Sequence, residues 1–136
     1  INEIHIGLND LHLGFGLNFM FELLSGGIVE YLANKISSAG IPYGFGGIAR
    51  LGKGVIDASL ILGEHVRLNS QLVILSRDFY KNISNCNEFK TKVNLKSELE
   101  KINDYLCYLN SNKHELLKRR DLLVKAVNEF VVSNHF

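Results

Sequence analysis

The segment Glu3–Leu13 opens with apolar residues at every second position, a period of two that predicts a short β-strand. Asn9 and Asp10 follow this strand, and apolar residues at helical spacing begin near Leu17. Small polar residues between the carboxyl end of a strand and a helix lie where α/β folds bind ligands and metals. We therefore take Asp10 as the functional centre of the chain.

The next residues predict alternating helices and strands. Apolar side chains are too dense across Leu17–Ser25 for a solvated helix, so this segment is expected to be a largely buried helix. A four-residue spacing that begins at Ile28 predicts an amphipathic helix, and Gly40 supplies its left-handed C-cap. The remaining elements are a second strand, a carboxyl-end loop, a helix and a third strand: Tyr43–Phe45, Gly46–Gly54, Val55–Leu68 and Leu72–Leu75.

This order of elements favours a parallel sheet with right-handed crossovers. All three predicted strands have polar or glycine-rich residues at their carboxyl ends, as on a single active-site face. The glycine-rich loop carries Arg50 and Lys53, and the third strand is followed by Ser76, Arg77 and Asp78.

The last third of the chain has a different character. Asn82–Asn87 is rich in Asn and Ser and predicts a loop. Amphipathic spacing predicts two helices, Leu95–Leu109 and Leu116–Phe130, with Ser111 as a possible N-cap between them. We expect an antiparallel hairpin that packs on the preceding units or on another subunit, with Lys118–Arg120 on a solvated face.

Composition narrows the class of protein. The chain of 136 residues has 46% hydrophobic and 21% charged residues, which suits one globular domain. A net charge of +1 argues against electrostatic binding of nucleic acid, and no apolar run is long enough to cross a bilayer. Cys86 and Cys107 fit neither a disulfide framework nor a metal spacing, which favours a reducing cytoplasm. Because the chain opens on Ile1 without Met, we expect a fragment, a cleaved product or a chain numbered from its ordered part.

The residues Ile6–Leu11 resemble a strand-and-loop motif of the phosphoenolpyruvate/pyruvate superfamily of (β/α)8 barrels. They are similar to Gly-Thr-Asn-Asp-Leu of the phosphoenolpyruvate-utilising enzymes and to Gly-Pro-Ala-Asp-Leu of the HpcH/HpaI aldolase and citrate lyase group. Gly44–Gly54 resembles the glycine-rich turn after the following strand, and Leu72–Arg77 corresponds to the final barrel strand. The resemblance implies that residues 1–82 are the last three β/α units of a TIM barrel, and residues 83–136 form a helical carboxyl-terminal extension outside it.

The resemblance also implies a function, which is that of a divalent-metal-dependent aldolase or lyase acting on a pyruvate- or oxo-acid-type substrate. Asp10 would bind Mg²⁺ or Mn²⁺, Asn9 would lie in the substrate cleft, and the backbone at Gly46 and Gly47 would approach the substrate. The second metal ligand of the family, a Glu on the preceding strand, has no counterpart in this chain. We therefore expect an inactive piece that associates with the missing part of the barrel or forms a homo-oligomer.

Each candidate residue also has a structural interpretation. Asp10 could instead form an Asx turn or a helix N-cap. His12 could act as a catalytic acid or base if it faces the cleft, and Arg50 could bind a substrate carboxylate or phosphate or form a surface salt bridge. His5 is expected to be a layer residue of the sheet, and Arg77 a partner in an interior ion pair. A rival function is a non-catalytic α/β module whose helical hairpin mediates oligomerisation or partner binding.

Overall fold

The three predicted strands lie side by side and run in the same direction. The computed structural model describes residues 1–134, and within them β1 (Ile4–Ile6), β2 (Tyr43–Ile48) and β3 (Leu72–Leu75) form a parallel sheet in the order β1-β2-β3. The fold of the described residues is therefore mixed α/β, and positions 135 and 136 of the predicted helical extension lie outside them. Both β1 and β3 pair only with β2 in this range, so each has a free edge.

Helices make up most of the remaining structure. None of those within residues 1–134 is long and apolar enough to cross a membrane. Short 3-10 turns at Arg77–Phe79 and Lys113–Glu115 accompany the α-helices. The α-helices are α1 (Leu8–Gly14), α2 (Glu22–Ser25), α3 (Ile28–Ser38), α4 (Ala58–Arg67), α5 (Cys86–Lys92), α6 (Leu95–Ser111) and α7 (Leu116–Ser133).

The strand register divides the sheet into two faces. Ile4 aligns with Tyr43, and Ile6 aligns with Phe45. Side chains paired across a parallel ladder project to the same face of the sheet. Helix α4 packs against β2 on the face that carries Tyr43 and Phe45. Tyr43 and Phe45 are almost fully buried there. The opposite face carries Ile74, whose side chain is 58% exposed.

The carboxyl-terminal hairpin packs within the chain. Helix α7 contacts α2 and α4, and α6 contacts α4, so the hairpin covers the helical layer of the α/β units. Leu109, Leu123 and Val127 are fully buried in the same hydrophobic cluster as the residues between sheet and helices. Of the two expected positions for the hairpin, the structure has the one on the preceding units.

The first two helices differ from their prediction. The strand β1 ends at Ile6, because Gly7 already serves as the N-cap of α1, so Asp10 lies in a first helical turn and not in a loop. Only the last four residues of Leu17–Ser25 are helical. The Glu22 carboxylate accepts hydrogen bonds from the backbone N–H groups of Asn18 and Phe19 at 3.0 and 2.8 Å, and this folds the preceding residues into turns.

The middle of the chain also differs in three places. Gly46 and Gly47 belong to β2 and not to a loop, and the register between β2 and β3 shifts there. Gly46 has a φ of 58°, a left-handed conformation that glycine adopts without strain at such a bulge. Helix α4 begins at Ala58, later than predicted, because Asp57 caps it. Part of the predicted loop is helix α5, since the side chain of Asn85 accepts a hydrogen bond from the Glu88 N–H.

Candidate functional site

Asp10 presents an unshielded carboxylate at the carboxyl end of β1. Its side chain is exposed, and it makes no hydrogen bond or ion pair with any residue in the range 1–134. It is neither the N-cap of α1, which is Gly7, nor part of an Asx turn. An Asp in a first helical turn is favoured by the helix dipole, and exposure is usual for a carboxylate side chain. Asn9 precedes it and is also exposed.

A wide, open hollow of about 690 Å³ runs along the free edge of β1. Asp10 and His5 line it together, so the structure brings these two polar side chains to one surface. His5 is half-buried at the sheet, in agreement with its predicted place as a layer residue. The other lining residues are mainly apolar: Ile4, Ile6, Gly7, Leu11, Leu32 and Ile36.

His12 lies apart from this hollow. Its side chain is buried, and its Nδ1 is 3.2 Å from the Leu8 carbonyl oxygen one helical turn back. Side chains two positions apart on an α-helix differ by about 200° of rotation about its axis. His12 and Asp10 are therefore on different sides of α1. The ring is a packed element of the helix and is not positioned as an acid or base beside Asp10.

Arg50 forms a salt bridge, which was expected from the sequence as the alternative to a substrate-binding role. Its Nε donates to Asp78 Oδ2 at 3.0 Å, and its backbone N–H donates to the same oxygen at 2.9 Å. The bridge joins the carboxyl ends of β2 and β3. The guanidinium lowers the pKa of Asp78 by hydrogen bonding, and the carboxylate raises the pKa of Arg50.

Two other expectations for charged residues were wrong. Arg77 is exposed and has no ion pair within the described residues, because β3 is an edge strand and its carboxyl end reaches the surface. Lys118–Arg120 is not simply a solvated face. Arg120 donates to Glu64 Oε2 at 2.9 Å and to the Leu24 carbonyl oxygen at 3.2 Å, and so ties α7 to α4 and α2.

The glycines of β2 are packed by neighbouring elements. A Cβ on Gly46 would lie 2.8 Å from the Leu8 Cδ1, and one on Gly47 would lie 3.4 Å from Ile74 O. Glycine at position 46 therefore lets α1 approach β2 closely, whereas a Cβ on Gly47 would make an ordinary van der Waals contact. Whether these backbones also meet a substrate stays a prediction.

The described residues contain no group of three His, Cys, Asp or Glu side chains that could hold a metal ion. Asp10 alone therefore offers one carboxylate group to an ion at this edge of the sheet. Mg²⁺ in proteins is commonly held by one or two carboxylates together with waters and substrate oxygens, so one ligand is compatible with such a site but does not complete it.

No local pattern in the sequence distinguishes His65, a buried polar residue of α4. Its ring stacks on Phe45 with centroids 3.9 Å apart, and burial lowers its pKa to about 3. Its Nδ1 lies 2.8 Å from the Ser70 hydroxyl oxygen, which is 3.2 Å from the Leu72 carbonyl oxygen. The ring is neutral, and its buried Nε2 has no partner among residues 1–134.

The helix α4 also carries Glu64, which is 1% exposed. It accepts hydrogen bonds from Arg67 and Arg120 at 2.8 to 2.9 Å, and Arg67 donates further to Glu30 at 3.0 and 3.2 Å. Hydrogen bonding to Arg67 lowers the pKa of Glu30. This network connects α3, α4 and α7.

No protein-family model, no curated protein and no solved structure matches this chain.

Proposed function

We propose that this chain forms the last three β/α units of a (β/α)8 barrel in a divalent-metal-dependent aldolase or lyase that acts on a pyruvate- or oxo-acid-type substrate. The observation that carries the proposal is the exposed, unpartnered Asp10 carboxylate at the carboxyl end of a parallel strand. Parallel α/β folds bind ligands at that edge of the sheet.

The sheet supports a barrel origin in two ways. Consecutive parallel strands in the order β1-β2-β3 are the arrangement that a barrel repeats. Parallel sheets are normally covered on both faces, yet Ile74 is 58% exposed and both outer strands have free edges in the described part of the chain. Further strands beside β1 and β3 would cover these edges. The face of the sheet that carries Ile74 would then lie inside the barrel.

Asp10 and Asn9 have defined parts in this proposal. Asp10 would contribute one ligand to Mg²⁺ or Mn²⁺, and a second carboxylate would come from a strand beside β1. The bound metal would supply neutralisation of the charge that develops on an enolate oxygen. Asn9 would contact the substrate, and the free Cys86 and Cys107 suit a cytoplasmic location. By itself the chain would be inactive.

The rival function has less support. A helical hairpin that mediates oligomerisation needs a free apolar face, whereas Ile102, Leu109, Leu123 and Val127 are buried against the rest of the chain. The apolar residues left exposed on α6 and α7 are scattered, as on ordinary protein surfaces. They are Leu99, Tyr108, Leu117, Leu122 and Val132.

The test is calorimetric titration of the full-length gene product with Mn²⁺ and with Mg²⁺, with and without oxalate as an enolate mimic. We expect binding that oxalate strengthens and that Asp10→Asn weakens at least tenfold, because a charged oxygen ligand is lost. Asp104→Asn, at an exposed position on α6, is the matched control and should bind as the parent does. Metal binding that survives Asp10→Asn unchanged would contradict the proposal, as would no binding at all.

A further inference from the structure

A small pocket with three cationic side chains lies where the loops after β2 and β3 meet helix α5. Its volume is about 150 Å³, and Arg50, Lys81 and Lys92 line it together with Asp78. A pocket of this volume can receive a small anionic group such as a carboxylate or a phosphate.

Three cationic side chains and one carboxylate, Asp78, line the pocket, and two further carboxylates, Glu88 and Glu98, act on Lys92 and Arg50 from outside the lining. One oxygen of Asp78, Oδ2, receives both hydrogen bonds from Arg50, and these use the backbone N–H and Nε. The terminal nitrogens of the guanidinium have no partner within residues 1–134, and Lys81 has no ion pair there. Lys92 has only a distant carboxylate, Glu88, at 3.8 Å.

The Asp78 bridge holds Arg50 in place. Asp78 accepts from both the guanidinium Nε and the backbone N–H of Arg50. Phe79, which follows Asp78 and also lines the pocket, is 1% exposed and so holds this segment in place. A guanidinium fixed at Nε keeps two parallel N–H donors for an oxyanion, the geometry in which Arg binds carboxylate and phosphate groups. Preorganisation of this kind lowers the entropy lost on binding.

We infer that this pocket binds a carboxylate or phosphate group through Arg50, Lys81 and Lys92. It lies at the carboxyl ends of β2 and β3, and Asp10 follows the same end of β1. Neighbouring strands are about 4.8 Å apart, so β1 and β3 are separated by about 10 Å. If the proposed function holds, the group bound here is the distal anionic group of the oxo-acid substrate, at the end away from the metal.

The experiment is a titration of the chain, freed of metal ions with a chelating resin, with inorganic phosphate and, separately, with succinate, at low ionic strength. Binding is followed by the ¹H–¹⁵N shifts of the Arg50 Nε–H and the Lys81 amide. We expect saturable binding in the millimolar range, and the tighter anion identifies the group as phosphate or carboxylate. Sodium chloride at matched ionic strength should not reproduce the shifts.

The double variant Lys81→Gln/Lys92→Gln leaves the Arg50–Asp78 bridge intact and should weaken binding about tenfold. Lys96→Gln/Lys125→Gln removes the same charge from side chains that are 87% and 73% exposed, and should leave the affinity unchanged. Equal weakening by both double variants, or shifts that do not saturate, would overturn the inference. Asp10→Asn should not alter anion binding, so this result and that of the metal titration can fail independently.

Discussion

The buried carboxylate of Glu64 makes a strong prediction about stability. Glu64→Gln removes its charge with little change of shape, while Arg67 and Arg120 remain beside it with side chains only 14% and 18% exposed. Three hydrogen bonds from guanidinium groups then lose their charged acceptor. Removing one member of a buried ion pair costs about 3–5 kcal/mol, because the other charge stays buried without its partner.

The expected cost for Glu64→Gln lies at the low end of that range, about 3 kcal/mol, because Arg67 keeps its two hydrogen bonds to Glu30. In a chain of 136 residues this corresponds to a Tm lower by about 10 °C. Arg120→Met should cost less, about 2 kcal/mol, since Glu64 stays paired with Arg67. The double variant Glu64→Gln/Arg120→Met should lose about 1–2 kcal/mol less free energy of unfolding than the sum of the two single losses.

Urea unfolding followed by far-UV circular dichroism measures these values, since the chain has no Trp and urea does not screen charge. The matched control is Glu129→Gln on α7, whose side chain is 68% exposed and lies 4.0 Å from Lys125. It should change stability by less than about 0.5 kcal/mol. The reasoning is refuted if Glu64→Gln unfolds at the same urea concentration as Glu129→Gln, or if the two network substitutions are strictly additive.

Two further predictions concern single sites. Burial lowers the pKa of His65 from 6.5 to about 3, so between these values the unfolded chain binds a proton that the folded chain does not. The free energy of unfolding should therefore fall by about 2 kcal/mol from about pH 7 to about pH 5, a slope that His65→Gln reduces and that His114→Gln, at an exposed position, leaves intact. A Cβ at Gly44 would lie 2.1 Å from the Leu72 carbonyl oxygen, so Gly44→Ala should cost more than about 2 kcal/mol in urea unfolding. Gly14→Ala has no atom within 4 Å of the new Cβ and should be nearly neutral, and equal losses for the two alanines would contradict this account.

The elements that local pattern predicted well are those whose periodicity and caps agree. The helix that begins at Ile28 ends before Gly40, which has the expected left-handed conformation with a φ of 70°. The third strand, Leu72–Leu75, has the predicted bounds, and α6 and α7 occupy the two predicted amphipathic segments. In each, the spacing of apolar side chains and the terminating residue favour the same conformation.

Other elements depended on residues distant in the sequence. Gly46 and Gly47 resemble a loop in the sequence but belong to β2. The close approach of Leu8 and a φ of 58° show why this strand needs glycine at position 46. Leu17–Ser25 has the composition of a helix, but the Glu22 carboxylate binds backbone N–H groups that a longer helix would have used.

The sequence by itself determined the three strands and the helical connections between them, and hence the parallel sheet, because period and crossover length are local properties. Only the tertiary structure decided the surroundings of the charged residues. Arg50 meets Asp78, and Arg120 meets Glu64, across 28 and 56 positions of sequence. No local pattern encodes such pairs, because which charges become neighbours depends on how the helices pack on the sheet.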